Sequence, residues 1–245
     1  RDYLLPEANT IVVGEPAAGK SLLMLDWACC IAKGIDWQGR KVQQGAVIYL
    51  AGEGHFGLRR RLKAWSIQYG IDLSDCPFAI SEQGARLAEA DGTSLVDVML
   101  AIDDFAADHG PPVLIVVDTL HRNLGAADEN SAKDLAVYLQ NLDRLRTRYG
   151  CAIATVHHTG HIDKQRGRGS SAIRGGVDIA YLVTAQGEGI SQLSCAKMKD
   201  APQPTPTAFK IVPITLPWPD DQGREETSVA IQPAEVKPAG KAGRH

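Results

Sequence analysis

Eight consecutive residues have the clearest chemical potential in the sequence: Gly14, Glu15, Pro16, Ala17, Ala18, Gly19, Lys20 and Ser21. Their G-x-x-x-x-G-K-[ST] spacing is that of a phosphate-binding loop, and they lie between an apolar run and a helical pattern. The glycines allow backbone N–H groups to curl around phosphate oxygens. Lys20 supplies an ammonium group for the β- and γ-phosphates, and Ser21 supplies a hydroxyl ligand for Mg²⁺. The loop therefore predicts binding of ATP with Mg²⁺, against the weaker alternative of a chance glycine-rich turn.

Two acidic residues follow apolar runs and are candidates for holding the metal and activating water. Asp118 ends the run Val113–Val117, which is the pattern of a Walker B carboxylate that holds Mg²⁺. The alternative is a capping or turn aspartate. Glu53 stands between two glycines after the apolar run 46–51. A carboxylate there can orient and deprotonate the water that attacks a γ-phosphate, although a plain turn residue would have the same pattern.

His157 and His158 follow a third apolar run, Cys151–Val156. A polar side chain at this point could contact the γ-phosphate and report hydrolysis to the residues that follow. Adjacent residues on a strand point to opposite faces, so a metal-binding pair is not expected and at most one histidine faces the nucleotide. The sequence does not decide which one, and His158 is taken as the catalytic candidate.

The elements that must position these residues alternate between apolar strands and amphipathic helices. This order predicts an α/β fold with a mostly parallel, twisted sheet between helices, connected by right-handed crossovers. From residue 178 the helices stop, and segments 178–185, 190–197, 207–215 and 227–232 predict antiparallel strands that extend the sheet. Residues 1–232 then form one domain, and the Pro/Gly/Lys-rich residues 233–245 form a disordered tail. The phosphate loop, Glu53, Asp118 and the two histidines all fall at strand carboxyl ends, where ligands bind in such sheets.

Composition excludes several classes of protein. The net charge of −3 gives no global signal for nucleic acid, so any such contact requires a local basic patch. Five cysteines without C-x-x-C spacing favour reduced thiols in a cytoplasmic protein. No apolar run has the length of a membrane span and no signal-peptide pattern is visible, so neither is expected. The basic run from Arg59 to Lys63 is predicted to be a solvated helix face rather than a ligand site.

The combined motifs resemble the RecA-type P-loop ATPase core. Within that group they are most similar to the RepA-like hexameric replicative helicases of plasmids and phages. The likeness rests on the phosphate loop, Glu53 and Asp118, then Val156-His157-His158-Thr159, Arg168-Gly169-Ser170-Ser171 and Lys197, and it covers roughly residues 3–215.

The resemblance implies a ring in which a neighbouring subunit completes each nucleotide site. Arg168 matches the family's arginine finger and Lys197 its companion lysine, although Lys199 could replace Lys197 because the two share a strand face. Arg168 could instead belong to a solvated basic loop. The Gly/Ser/Arg-rich residues 159–176 match the loop that lines the path of single-stranded DNA, and they supply the required local basic patch.

Four functions remain open at this point. The leading one is an ATP-driven homo-hexameric helicase that translocates on single-stranded DNA. The second is a recombination or strand-annealing ATPase that forms filaments, and the third is a non-motor nucleotide switch. A small-molecule kinase fits least well, because Glu53 favours activation of water.

Overall fold

The computed structural model describes residues 3–52, 54–89, 91–158, 173 and 175–236 of the 245-residue chain. Strands and helices alternate as expected. The elements are β1 (Asn9–Gly14), α1 (Lys20–Lys33), β2 (Ala46–Ala51), α2 (His55–Tyr69), β3 (Phe78–Ile80), α3 (Thr93–His109), β4 (Pro112–Asp118), α4 (Leu120–Asn123), α5 (Ala132–Tyr149), β5 (Ala152–His158), β6 (Ile179–Gly187), β7 (Ile190–Met198), β8 (Thr207–Pro219) and β9 (Glu225–Ala234). Helices α1, α2 and α5 each end at a glycine with positive φ, namely Gly34, Gly70 and Gly150. The described helices include none with the length and apolar character that a bilayer crossing requires.

The strands form one sheet of nine in the order β3-β2-β4-β5-β1-β6-β7-β8-β9. The five pairs from β3 to β6 are all parallel. The chain leaves β1 for β2, works back to β5 beside β1, and then continues as β6 on the other side of β1. The winding direction therefore reverses at β1, which is where open parallel sheets bind ligands. This is the RecA-like α/β arrangement that the sequence predicts.

Two details differ from the sequence-based expectation. The first of the four late strands, β6, is parallel to β1, and only β7, β8 and β9 are antiparallel to their neighbours. The 20 residues between β5 and β6 exceed the dozen or so that a crossover between parallel strands needs. In addition, the expected loop 120–130 begins with the short helix α4.

The end of the described chain also extends past the predicted domain boundary. Strand β9 continues to Ala234, two residues beyond position 232, and residues 237–245 lie outside the described part. The β8–β9 hairpin is held against α2, where Arg60 donates to the Thr227 carbonyl at 2.8 Å and pairs with Glu226 at 2.6 Å.

Two apolar layers cover the faces of the sheet. One layer contains α1 and α2 and takes Leu114 and Val116 from β4. The other contains α3 and α5 and takes Ile115 and Val117 from the same strand. Alternate residues of each buried strand thus face opposite layers, so the strand-end residues can be assigned to a face by their parity.

Candidate nucleotide-binding site

Parity brings two strand-end side chains to the face that carries α1. In β5, Ala154 and Val156 belong to the α1 layer, and His158 is the next residue with that parity. In β4, Asp118 follows Val116 in the same way. Because β4, β5 and β1 are neighbouring parallel strands, both residues lie at the carboxyl ends of the strands, where the phosphate loop leaves β1.

The phosphate loop has the tight backbone that its glycines predict. Gly14 ends β1 so close to β6 that an added Cβ would lie 2.4 Å from the Val183 carbonyl oxygen. Gly19, the N-cap of α1, has φ +85°, and an added Cβ would lie 2.8 Å from Cε2 of Phe209. Ala17 also has a positive φ of 61°. Since Gly19 has no side chain with which to cap the helix, the first N–H groups of α1 can bind a phosphate group.

Lys20 is held in this loop by short contacts. Its Nζ atom donates to the carbonyl oxygens of Gly14 at 2.9 Å and Glu15 at 2.8 Å. The residue is 3 % exposed. Burial lowers the pKa of the ammonium group to about 8, and the nearby charge of Asp118 partly opposes this shift. A phosphate anion would favour the charged form and could replace the carbonyl contacts.

His158 is the histidine that faces this loop. Its Nδ1 atom lies 3.0 Å from Nζ of Lys20. When the lysine is an ammonium group it donates, so Nδ1 accepts and the proton of a neutral ring is on Nε2. His157 has the parity of the opposite layer. The structure therefore shows that His158 is the histidine in contact with Lys20.

Asp118 and Ser21 form a pair of oxygen groups that suits Mg²⁺. Ser21 Oγ donates to Asp118 Oδ1 at 3.0 Å, and the Tyr49 hydroxyl donates to Oδ2 at 2.6 Å. Burial raises the pKa of the Asp118 carboxyl group, against the lowering effects of these two hydrogen bonds and of the charges of Arg61 and His158. Among the described residues, no three His, Cys, Asp or Glu side chains are grouped to hold a metal by themselves. A site with few protein oxygens fits Mg²⁺, which is commonly completed by water and substrate phosphates.

Of the remaining predicted residues, the structure locates only Lys197. Glu53 and Arg168 lie outside the described residues. Lys197 is placed elsewhere: its Nζ atom donates to the carbonyl oxygens of Val177 at 2.6 Å and Gly175 at 3.2 Å. These carbonyls precede β6 and adjoin the start of β1, five residues or about 16 Å from Gly14. Lys199, the alternative to Lys197, pairs with Asp178 at 3.1 Å.

Sequence reasoning missed two residues beside Asp118. Tyr49 was assigned only to a buried strand, but its hydroxyl group bonds Asp118. A lone hydroxyl in an aliphatic run was the available signal. Arg61 was placed on a solvated helix face, whereas it is partly buried and its charge favours ionised Asp118. Helical spacing gave the clue here, because Arg61 lies three residues after buried Leu58 and four before buried Trp65.

Comparison with known proteins gives the family and the fold of the chain. Residues 1–164, which include the phosphate loop, Asp118 and His158, match the protein family described as an AAA domain. The crystal structure of the RadB recombinase is similar in fold, with a TM-score of 0.60 over 85 % of this chain and 89 % of that one at 15 % identity. No curated protein matches the sequence. The likeness to RadB supports a RecA-like P-loop ATPase fold.

Proposed function

We propose that this chain, which belongs to the AAA domain family, hydrolyses ATP with Mg²⁺ at the edge formed by β1, β4 and β5. The observation that carries the proposal is the meeting of four groups from three elements. Lys20 Nζ lies 3.0 Å from His158 Nδ1, and Ser21 Oγ lies 3.0 Å from Asp118 Oδ1. Phosphoryl transfer to water needs a cation and oxygen ligands for a metal. Lys20 supplies the cation, Ser21 and Asp118 supply the oxygens, and His158 lies beside them.

Each residue has a separable task in this proposal. Bound ATP and Mg²⁺ would supply the scissile phosphoanhydride bond and neutralise its charge. Ser21 and Asp118 would hold the metal, and Lys20 would exchange its carbonyl contacts for phosphate oxygens. His158 touches Lys20 and ends the strand that leads into residues 159–176, so it can connect the state of the phosphate site to those residues. Glu53 stays the predicted base for water.

We further propose that the chain acts as a homo-oligomer on single-stranded DNA, with a hexameric helicase as the leading function. Lys197 lies at the opposite end of β1 from the phosphate loop of its own chain, which supports a role in a neighbour's site. Arg168 stays the predicted arginine finger. The fold likeness to RadB favours the second candidate, a recombination or strand-annealing ATPase that forms filaments.

ATP turnover measured with and without single-stranded DNA tests the motor. Stimulation by DNA at low salt is expected, and equal rates would exclude it. An unwinding assay on a forked duplex, together with electron microscopy, then separates the two candidates. Strand separation by closed rings supports the helicase, whereas length-variable filaments without unwinding support the recombinase.

Mixing two inactive variants tests completion of the site by a neighbour. Lys20→Met subunits lack the cis cation, and Arg168→Ala subunits lack the proposed trans cation. Mixed oligomers regain turnover if an intact Lys20 meets an intact Arg168 across an interface. No recovery, with mixing shown by mass, would place Arg168 in its own subunit's pocket. Lys197→Ala in place of Arg168→Ala extends the test, with exposed Lys210→Ala as the matched control.

A further inference from the structure

A fully buried asparagine in the short helix α4 joins three segments of the chain. Asn123 follows Asp118 by five residues and is 0 % exposed. Its Oδ1 atom accepts a hydrogen bond from the Ala85 N–H group at 2.8 Å. Its Nδ2 atom donates to the carbonyl oxygens of Thr119 at 2.9 Å and Leu50 at 3.3 Å. Because both amide groups are occupied within the protein, Asn123 is suited to holding other residues in place rather than to binding a ligand.

Two of the three segments are the carboxyl ends of β2 and β4, which lead to the proposed reacting groups. Thr119 directly follows Asp118, the proposed metal-binding carboxylate, and Leu50 lies near the end of β2, just before the predicted base for water. The two ends are joined a second time, because the Gly52 N–H group donates to the Asp118 carbonyl oxygen at 2.8 Å. Asn123 therefore helps to fix the end of one strand against the end of the other.

The packing around α4 leaves no room for even one additional methyl group. A Cβ added to Gly52 would overlap the Cβ of Arg122, and one added to Gly84 would lie 2.6 Å from the Arg122 carbonyl oxygen. Neither glycine has a positive φ, so close approach, and not backbone conformation, requires a glycine at both positions. These contacts hold α4 where Asn123 reaches both strand ends.

The oxygen atoms of Asp118 depend on this arrangement of the strand ends. Oδ1 lies 3.0 Å from Ser21 Oγ, and Oδ2 accepts from the Tyr49 hydroxyl group at 2.6 Å. Tyr49 is in β2 and Asp118 is in β4, so the second contact requires the two strands to stay in register. A displacement of about 1 Å in a reacting group can lower a rate by about 10²-fold. A loosened strand end would therefore lower turnover.

We propose that Asn123 is a positioning residue for ATP hydrolysis. It holds the carboxyl ends of β2 and β4 together, so that the Asp118 carboxylate keeps the place in which it can hold Mg²⁺. This inference rests on the proposed ATPase function. The side-chain hydrogen bonds of Asn123 all go to residues outside the phosphate loop. Its loss should therefore impair the chemical step and leave the binding of the nucleotide phosphates intact.

A second buried asparagine provides a matched control. Asn141 in α5 is 3 % exposed, and its Nδ2 atom donates to the Leu87 carbonyl oxygen at 2.9 Å. The Leu87 N–H group in turn donates to the Asn123 carbonyl oxygen at 2.6 Å. Both asparagines thus hold the segment that contains Ala85 and Leu87, but of the two it is Asn123 that also bonds the ends of β2 and β4.

Asn123→Leu and Asn141→Leu separate a positioning role from a purely structural one. Both variants of the 245-residue chain should melt about 3–6 °C below the parent, because each leaves buried backbone groups unpaired. Below that melting range, turnover per folded molecule should fall by roughly 10-fold to 100-fold in Asn123→Leu and by less than about twofold in Asn141→Leu. ADP affinity without Mg²⁺, measured by titration calorimetry, should match the parent in both. Equal turnover losses in the two variants, or none in Asn123→Leu, would overturn the proposal.

Amide hydrogen exchange tests the hold on the strand ends independently of activity. The Gly52 N–H group should exchange at least about tenfold faster in Asn123→Leu and at the parent rate in Asn141→Leu. If the parent chain shows no turnover, the proposed function fails, whereas Gly52 exchange still decides whether Asn123 holds the strand ends. Gly84→Ala, which displaces α4 without removing a hydrogen-bonding side chain, is the second variant and should lower turnover with unchanged ADP affinity. Parental exchange at Gly52 in Asn123→Leu, or full turnover in Gly84→Ala, would contradict the positioning role.

Discussion

Asp118 and Asp26 lie on the same side of the sheet, and burial raises the pKa of both carboxyl groups. Both accept hydrogen bonds from aromatic side chains. Tyr49 donates to Asp118 at 2.6 Å, whereas Trp37 and Trp65 donate to Asp26 at 2.7 Å each. From the direction of their pKa shifts and their aromatic donors alone, the two acids would be given the same role.

Their partners and exposure separate them. Asp118 is partly exposed, and Lys20, Arg61 and His158 act on it electrostatically. Asp26 is 1 % exposed, and the groups that lower its pKa are Trp65, Trp37 and Tyr69. A partly exposed carboxylate among hydroxyl groups and cations can exchange a partner for a metal. A sealed carboxylate between indoles instead joins α1 to α2 and to the segment before β2.

The largest effect expected from this contrast is on turnover. Asp118→Asn should lower Mg²⁺-dependent ATP hydrolysis by roughly 10³-fold, because several kcal/mol of charge stabilisation depends on the metal. The melting temperature should stay equal or rise by roughly 2–4 °C, since burial of a charge is removed and both Tyr49 and Ser21 can still bond the amide. Calorimetry and a phosphate-release assay measure the two effects. Exposed Asp104→Asn is the control, and a fall in stability would contradict this account of Asp118.

For the buried Asp26, stability rather than turnover is expected to fall. Asp26→Asn should lower the free energy of unfolding by roughly 2 kcal/mol, because an indole only donates and one of two would face the amide NH₂. Turnover per folded molecule should be unchanged. Urea unfolding measures the loss, and Trp65→Phe should cost less in the Asp26→Asn background than in the parent chain. Full stability with lost turnover would place Asp26 in the reaction.

Arg61 tests whether charge distinguishes the two acids. Arg61→Gln removes a cation that favours ionised Asp118, so the pKa of that carboxyl group should rise and the acid limb of the turnover–pH profile should move up by about 0.7 pH units, the effect of about 1 kcal/mol. Lys63→Gln, on the exposed side of the same helix, is the matched control. Identical acid limbs in the two variants would show that Arg61 does not act on Asp118 and lies on a solvated helix face.

The smallest effect concerns Lys20, the cation beside Asp118. Its pKa is lowered to about 8, whereas a bound phosphate would keep it charged. Nucleotide affinity is therefore full below pH 8 and is lost as the pH rises through 8, by about threefold between pH 7.5 and 8.5. Titration calorimetry with ADP and Mg²⁺ measures this slope. The Lys20→Met variant should bind ADP weakly and show no loss of affinity near pH 8. An affinity that does not change with pH in the parent chain would contradict the lowered pKa of Lys20.

The sequence predicted the strands and helices better than it predicted how they pack against one another. The phosphate loop, the alternating strands and helices, and the strand-end positions of Asp118 and His158 follow from local spacing. The parallel direction of β6 could not be read from its residues, because a strand's own pattern does not state which edge of the sheet it enters. Arg61 was misjudged for a similar reason, since its environment is made by β2 and β4.

By itself, the sequence determined a nucleotide-binding RecA-like fold, because phosphate contact requires particular residue types within eight positions and secondary structure follows short periods. The tertiary structure decided which histidine touches Lys20, why Asp118 and Asp26 differ, and where Lys197 lies. These three points depend on pairs 11 to 138 positions apart, from Asp26–Trp37 to Lys20–His158. Strand order and parity bring such pairs together, and neither is encoded in the residues of one segment.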